Sequence, residues 1–263
     1  FNHIFDQVNL PAMINYMAAG TVAQDFDRMV KNIYLYRDTN GTQQWTMLPW
    51  DKDLSFGLFG LQCDVVRGDD DSAAYTNCGG GYISHPLVGT QARNFVGHIN
   101  YLFDAVYANA ALKGVYLRRL RTLMDQTLQA PGTPAGGLFY ENRISELIPL
   151  LQPDATLNLS KWGAGFGQSQ TLTAATNAIR NRFLPQRRTH LYSTHNISRL
   201  PGSSTVAGIP DSQLPSPVLT FGAIEFNPAS ANQGQEYIEL INANNTAVDL
   251  SSWRIKGEIE FVF

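Results

Sequence analysis

The sequence predicts an α+β fold, followed by a linker and a short second unit made of strands. Three changes of pattern indicate this order. Apolar and polar residues alternate on both sides of Asn40-Gly41, apolar residues recur at helical spacing over 86–192, and alternation returns after 217. The stretch 194–217 is rich in Pro, Ser and Gly, a composition typical of linkers. The predicted domains are therefore 1–193 and 218–263.

The dipeptide Asn40-Gly41 predicts a β-hairpin with a type I′ turn, because both residues tolerate positive φ. Asn32 precedes this turn and Asp51 follows it, so both are expected at the open end of the hairpin, with Asp27 just upstream. In protein kinases one Asp accepts the proton of the substrate hydroxyl, while an Asn and another Asp hold magnesium on the nucleotide phosphates. The spacing alone leaves a second interpretation open, in which the aspartates only cap turns.

The segments KNIYLYRD and WTMLPWDKDLSFG resemble the signature of the CotH kinase family, atypical kinases named after a spore-coat protein. The most specific part is the PWD segment that ends at Asp51. Further on, SHPL, the helical YLRRLRTLMD and the pair Arg187-Arg188 resemble the C-terminal half of that family. The resemblance covers 1–193 and implies the C-terminal lobe of an atypical protein kinase, with a β-hairpin and helices.

The resemblance also implies roles for five residues. Asp51 corresponds to the metal-binding aspartate and Asn32 to its partner, with Mg²⁺ or Mn²⁺ bound together with ATP. Asp27 is the candidate for the catalytic base, and Asp25 is its rival. Asp53 is either a further metal ligand or a residue that fixes the loop by accepting hydrogen bonds from backbone N–H groups.

A kinase also needs a glycine-rich loop over the phosphates and a strand lysine paired with a helical glutamate. None of the lysines of this chain lies on a strand upstream of Asp27, and Lys52 is expected in solvent because side chains alternate along an extended segment. The chain starts at Phe1 without an initiator Met. We therefore expect a fragment that lacks its nucleotide-binding N-terminal lobe and is inactive alone.

Composition predicts a folded, extracytoplasmic protein. With 263 residues, 44% of them hydrophobic, the chain can bury a substantial core. A net charge of −3 with 16% charged residues provides no electrostatic footprint for nucleic acid. No apolar run is long enough to span a bilayer. Few lysines among many Asn, Gln, Ser, Thr and Gly residues favour a secreted or surface protein of bacterial type.

Two features lie in the segment that follows the PWD motif. Cys63 and Cys78 are expected to form a disulfide in an exported protein, whereas in a reducing compartment they would remain thiols. The acidic run Asp69–Asp71 could bind Ca²⁺, although it lacks the regular alternation of an EF-hand loop, so a solvated charge run is the alternative.

The helical region contains an amphipathic segment with Leu117, Leu120, Met124 and Leu128 on one face. Its arginines (Arg118, Arg119 and Arg121) are therefore expected on the solvent side.

The strands after 217, LTFGAIEFNP, QEYIELIN and VDLSSWRI, resemble the beginning of a lamin-tail domain, an immunoglobulin-like β-sandwich. A complete sandwich needs about 100 residues. The sequence therefore predicts a truncated sandwich with a binding or spacing role.

Two function classes remain. The first is a secreted or surface serine/threonine kinase that transfers the γ-phosphoryl of ATP to an envelope or coat protein. The alternative is a non-catalytic surface scaffold or adhesin with a kinase-like fold and a calcium site.

Overall fold

The computed structural model of the chain describes residues 2–25, 32–53, 55–56, 58–59, 63–64, 100–163, 170–198 and 208–263. Helices and small antiparallel sheets are both present, in agreement with the predicted α+β class. The chain divides into two compact units, Phe1–Asp211 and Ser212–Phe263. The division falls inside the stretch predicted as a linker.

The first unit contains all seven α-helices of the described residues. Short strands pair as hairpins between the second and third helix. In chain order the elements are α1 (Asn2–Gln7), α2 (Leu10–Ala23), β1 (Ile33–Arg37), β2 (Trp45–Pro49), β3 (Leu58–Phe59), β4 (Cys63–Asp64), α3 (Tyr101–Ala108), α4 (Ala110–Leu123), α5 (Phe139–Trp162), α6 (Leu172–Ala178) and α7 (Leu184–Thr189). Single π-helical segments follow α4, α6 and α7 at Met124–Leu128, Ile179–Phe183 and His190–Thr194, and a 3₁₀ turn at Ala135–Gly137 precedes α5.

The core of the first unit lies where α2 packs against α4. The side chain of Asn9 caps α2 by accepting a hydrogen bond from the Ala12 N–H at 3.1 Å. Helix α2 is apolar around most of its circumference, which is typical of a buried helix. The face predicted from helical spacing is confirmed, since Leu117, Leu120, Met124 and Leu128 are all buried.

The prediction that the arginines of α4 face solvent is wrong for Arg118 and Arg121, which are both buried. Arg118 donates a hydrogen bond to the Asp211 carbonyl at 2.8 Å, and Arg121 donates to the Pro210 carbonyl at 3.0 Å. Residues 208–211 thus cover the polar side of α4. Ile209, which is fully buried, pairs with Asn196 through an isolated parallel bridge. A guanidinium supplies five N–H donors, so it can satisfy buried backbone carbonyls.

Strands β1 and β2 form the predicted antiparallel hairpin, with Ile33 opposite Pro49 and Arg37 opposite Trp45. The prediction of a type I′ turn is wrong. Neither Asn40 nor Gly41 has positive φ, and the left-handed residue of this turn is Gln43 with φ 58°. The Asp38 carboxylate accepts hydrogen bonds from the N–H groups of Asn40 and Gly41, which builds a longer Asx-type turn. A side chain at residue 41 would collide with that carboxylate.

The second unit consists of two antiparallel strand pairs. Strand β5 (Leu219–Glu225) pairs with β6 (Tyr237–Asn242), with a register irregularity between Phe221 and Ile224. Strand β7 (Arg254–Ile255) pairs with β8 (Phe261–Val262). The first two strands predicted from alternation are therefore present, whereas the predicted VDLSSWRI strand forms only at Arg254–Ile255. The immunoglobulin-like sandwich remains a prediction.

Several predicted features lie outside the described residues. They are the candidate base Asp27, the cysteine Cys78, the acidic run Asp69–Asp71 and the SHPL segment. Among the residues that are described, none of the helices is both long and apolar enough to cross a bilayer.

Candidate functional site

The open end of the β1–β2 hairpin brings Asn32 and Asp51 together. The Trp50 N–H donates to the Asn32 carbonyl at 3.1 Å and so extends the ladder by one step. The Asn32 Nδ2 then donates to the Asp51 carbonyl at 3.2 Å and lies 3.5 Å from Asp51 Oδ2. The side chains predicted to share a metal are thus within reach of each other, at the end of the hairpin where they were expected.

Four residues around this site have left-handed backbone, an uncommon conformation for residues other than glycine. They are Gln24 with φ 53°, Asn32 with φ 57°, Asp51 with φ 51° and Phe56 with φ 56°. Asn and Asp tolerate this region better than other residues, but for Gln and Phe it costs on the order of 1–3 kcal/mol. Strained backbone of this kind concentrates at functional sites, because the surrounding structure must hold it in place.

Lys52 lies between the two candidate metal-binding aspartates, and its predicted position in solvent is wrong. Its Nζ lies 3.0 Å from Asp25 Oδ2, and the side chains are 25% and 5% exposed. The ammonium also lies 5.4 Å from the centre of the Tyr16 ring. The contact with Asp25 is an ion pair by distance, without the alignment of a hydrogen bond. The expected alternation fails because the left-handed backbone of Asp51 turns the chain at this point.

Phe56 anchors the other end of the same loop. Its N–H donates to the Ala23 carbonyl, at the C-terminus of α2, at 2.7 Å. Its ring packs edge-on against Phe183 and Tyr140, with centroid separations of 5.7 and 5.5 Å. The loop that begins at Asp51 is therefore fixed at three points: to the hairpin, to Asp25 and to the aromatic core.

The C-terminal end of α2 carries Asp25 and is itself held from the core. Gln24 closes the helix in left-handed conformation, and the Asp25 N–H donates to the Gly20 carbonyl at 2.9 Å. The fully buried Arg187 donates from Nε and Nη2 to the Thr21 carbonyl. The Thr21 carbonyl also accepts the long bond from the Gln24 N–H at 3.3 Å, so the guanidinium strengthens the hydrogen bonding of this helix end.

The neighbouring Arg188 is also buried and connects other elements of this unit. Its Nε donates to the Leu128 carbonyl at 2.7 Å, and its Nη2 lies 2.7 Å from a carboxylate oxygen of Glu141. The two consecutive arginines of α7 thus tie that helix to the end of α2, to the π-helical segment after α4 and to α5.

The Asn32–Asp51 pair fits a hard divalent cation. In the described part of the chain no group of three or more Asp, Glu, His or Cys side chains could hold a metal ion. Mg²⁺, however, is usually bound by one or two carboxylates together with phosphate oxygens and water. In the orientation described, Nδ2 of Asn32 faces Asp51. A rotation of the side-chain amide by 180° about the Cβ–Cγ bond would place Oδ1 there instead. The pair then presents one amide oxygen and one carboxylate.

The remaining predicted site residues are only partly accounted for. Asp53 is exposed and makes no hydrogen bond or ion pair with a described residue, so the backbone bonds of the loop-fixing alternative are not seen. Cys63 lies in β4, while its predicted partner Cys78 lies outside the described residues, so the disulfide stays a prediction.

Sequence reasoning missed the contacts of Lys52 and Arg187. A signal for Arg187 existed, because an apolar helix such as α2 predicts a buried C-terminus whose carbonyls need a donor from elsewhere. No comparable signal existed for Lys52. Its position depends on the left-handed backbone of Asp51, which residue alternation does not reveal.

The end of the hairpin thus places an amide and a carboxylate together on a loop that is anchored to the first unit. The chain belongs to the CotH kinase protein family, whose family model matches residues 1–191. Comparison with curated proteins and with solved structures returned no match.

Proposed function

We propose that this chain carries the metal-binding part of an atypical serine/threonine kinase site, which transfers the γ-phosphoryl of ATP to a protein hydroxyl. The observation that carries the proposal is the approach of Asn32 to Asp51 at the open end of the hairpin, with both residues in left-handed conformation. Both belong to the segment matched by the family model.

Each residue has a definite part in this proposal. Asn32 and Asp51 hold Mg²⁺ or Mn²⁺, and the exposed Asp53 adds a further oxygen ligand. A metal bound there supplies the charge that compensates the phosphate oxygens in the transition state. The Asp25–Lys52 ion pair and the Phe56 anchor keep the loop in place, so its carboxylates need little reorganisation when the reaction occurs.

We assign the catalytic base to Asp27 and a positioning role to its rival Asp25. A base must come within hydrogen-bond reach of the substrate hydroxyl. The Asp25 carboxylate is buried and lies 3.0 Å from the Lys52 ammonium, so a substrate hydroxyl has restricted access to it. Asp27 lies outside the described residues, so its assignment rests on its family position and its spacing from Asn32.

The direct test is transfer of radiolabelled γ-phosphate from ATP by the full-length protein. Asp51→Ala is expected to abolish transfer and Asn32→Ala to reduce it severely, because the phosphate charge loses its compensation. Asp154→Asn on the exposed part of α5 and Asn40→Ala in the hairpin turn are the matched controls, and both should retain the wild-type rate. Unchanged transfer by Asp51→Ala would refute the metal assignment.

The scaffold alternative has a distinct result in the same assay. It is favoured if the wild-type protein labels neither itself nor surface proteins of its host while it binds Ca²⁺ tightly.

A double-mutant cycle separates the roles of Asp25 and Asp27. If Asp25 positions the loop, Asp25→Asn and Lys52→Gln should lower transfer by similar factors, and the double variant should lose little more. Asp27→Asn should slow transfer severely and leave nucleotide affinity unchanged, since a base acts on the acceptor hydroxyl. Loss of transfer in Asp25→Asn alone, with Lys52→Gln active, would make Asp25 the base.

We further propose that the parent protein works outside the cytoplasm on envelope or coat proteins, with the strand unit Ser212–Phe263 as a lamin-tail-like binding or spacing module. The low lysine content and the two cysteines support this location. Mass spectrometry of the exported protein under non-reducing conditions should show Cys63 joined to Cys78. Two free thiols in that sample would contradict the disulfide.

A further inference from the structure

A cavity of about 550 Å³ opens at the start of α5, within the first unit. Its walls come from the π-helical segment after α4, the 3₁₀ turn before α5 and the first turns of α5 itself. The pocket is open to solvent and not enclosed, so a ligand bound there would keep part of its surface in water. None of its lining residues belongs to the β1–β2 hairpin or to the loop that follows it.

The cavity is built by side chains that bridge its walls. Gln129, whose φ is positive at 60°, donates from Nε2 to the Gln126 carbonyl at 2.7 Å and accepts from the Phe139 N–H at 2.9 Å. Asn142 donates from Nδ2 to the carbonyls of Ala135 and Gly136 at 3.3 and 3.1 Å. These bonds fix the turn against the helix, so the cavity is formed before any ligand arrives, which reduces the cost of binding.

The polar side-chain atoms that take no part in these bonds include both hydrogen-bond donors and acceptors. The Gln126 side chain is exposed and bonds to no described residue, and the Oδ1 of Asn142 is similarly unused among the described atoms. An amide group presents two donors and an acceptor with two lone pairs. The lining carries no net charge, because the Arg143 guanidinium pairs with the Glu146 carboxylate at 2.7 Å. An uncharged ligand rich in hydroxyl groups matches this set better than a phosphate or a cation.

Phe139 adds an apolar wall, with nearly half of its side chain exposed at 48%. Aromatic faces pack against flat C–H surfaces, while the adjacent amides bond to the hydroxyl groups at the rim of such a ligand. We propose that this cavity binds a neutral saccharide. The site would hold the protein on a glycan-bearing surface and is independent of the proposed metal site.

Gly136 permits a clean test of the cavity. A Cβ placed on this residue meets no atom within 4 Å, and its backbone is not left-handed, so Gly136→Leu fills open space without strain in the turn. Gly114 in α4 has the same properties and does not line the cavity. Gly114→Leu is therefore the matched control.

The measurement is NMR titration of the ¹⁵N-labelled chain with cellotriose, maltotriose and chitotriose, each at millimolar concentration, with the side-chain amides of Gln126 and Asn142 as reporters. At least one of the trisaccharides should shift both signals, and chitotriose shows whether an acetamido group is preferred. Binding should weaken by about tenfold or more in Gly136→Leu, which corresponds to at least about 1.4 kcal/mol. Gly114→Leu should bind as the wild type does.

Three outcomes would overturn the proposal. The first is that none of the trisaccharides shifts the reporter signals. The second is that Gly136→Leu binds a trisaccharide as tightly as the wild type does. In the third, inorganic phosphate shifts the reporters at lower concentration than any trisaccharide, which would indicate an anion site at Arg143.

Discussion

The two units of this chain differ in how they treat their apolar residues. The first unit contains the whole hydrophobic core of the described residues, from Val8 to Ile209. Among the described residues of the second unit only Pro228 is buried, and most of the large apolar side chains are exposed. Those exposed side chains are Leu214, Val218, Phe221, Ile224, Phe226, Tyr237, Ile241, Trp253, Ile259, Phe261, Val262 and Phe263.

This difference shows that the formation of a strand pair does not by itself make a unit stable. Strands β5 and β6 pair along most of their length, with one register irregularity, yet two-stranded hairpins are at best marginally stable in water without a covered apolar face. The first unit reaches stability through burial, and it can therefore hold arginines and left-handed residues in place. A candidate site with fixed geometry is expected on such a unit, and the Asn32–Asp51 pair lies there.

The largest difference between the two units is expected in amide hydrogen exchange of the whole chain. Amides in the middle of α2 and α4 should exchange only through global unfolding, with opening free energies of about 5 kcal/mol or more. Amides of β5 and β6 should exchange with opening free energies near zero, because little apolar surface holds those strands. Mass spectrometry of peptides from both units provides the measurement. Equal protection in the two units would show that the strand unit is covered in solution.

Within the first unit, burial should decide what an arginine contributes. Arg187 is fully buried and holds the C-terminus of α2, so Arg187→Met should lower the free energy of unfolding by about 1–3 kcal/mol, because the buried Thr21 carbonyl loses its guanidinium donors. Arg143 forms an ion pair with both side chains more than half exposed, so Arg143→Met should change stability by less than about 0.5 kcal/mol. Urea unfolding followed by far-ultraviolet circular dichroism measures both. Similar losses in the two variants would contradict the structural role of Arg187.

The same contrast applies to leucines of the two units. Leu120 in α4 is fully buried, so Leu120→Ala should cost about 2–5 kcal/mol through lost burial and the cavity left behind. Leu214 is 64% exposed, and Leu214→Ala should change stability by no more than about 0.5 kcal/mol. Thermal unfolding of both variants beside the wild type is sufficient. A large effect of Leu214→Ala would mean that this residue packs against a surface in solution.

Local patterns predicted the elements of both units, because period-two and helical spacing depend on residues that are near in sequence. The apolar face of α4 and the pairing of β1 with β2 are examples. The meeting of Asn32 and Asp51 also follows from hairpin geometry, since it requires only the position of the turn.

The wrong predictions have causes that the spacing of residues does not reveal. Helical spacing predicts that Arg118 and Arg121 face solvent. The prediction fails because residues 208–211 cover these side chains, a tertiary contact that the spacing does not reveal. The prediction of a type I′ turn is wrong because the Asp38 side chain accepts a hydrogen bond from the Gly41 N–H and so stabilises a different turn. The burial of the arginines depends on tertiary contacts, which residue spacing does not encode. The turn depends on a local bond from the Asp38 side chain, which competes with the Asn-Gly signal.

The smallest expected effect concerns Asp211, at the end of the segment that covers α4. The Ser198 hydroxyl and the Asn196 amide donate to its carboxylate at 2.6 and 3.0 Å, and these bonds lower the pKa of Asp211 below its usual value of 3.8. A lowered folded-state pKa means that the contribution to stability is fully present above the unfolded-state pKa and disappears as the pH falls through the folded-state pKa. Because Asp211 is exposed, we expect Asp211→Asn to cost less than about 1 kcal/mol at neutral pH.

The difference between Asp211→Asn and wild type should therefore shrink towards zero as the pH falls below 3.8. Urea unfolding at a series of pH values measures it, and Asp154→Asn, an exposed aspartate on α5, is the control that should show no such change. A difference that persists or grows in acid would show that the carboxylate charge is not what holds Ser198 and Asn196. The segment would then be retained on α4 chiefly by burial of Ile209 and by the backbone bonds from Arg118 and Arg121.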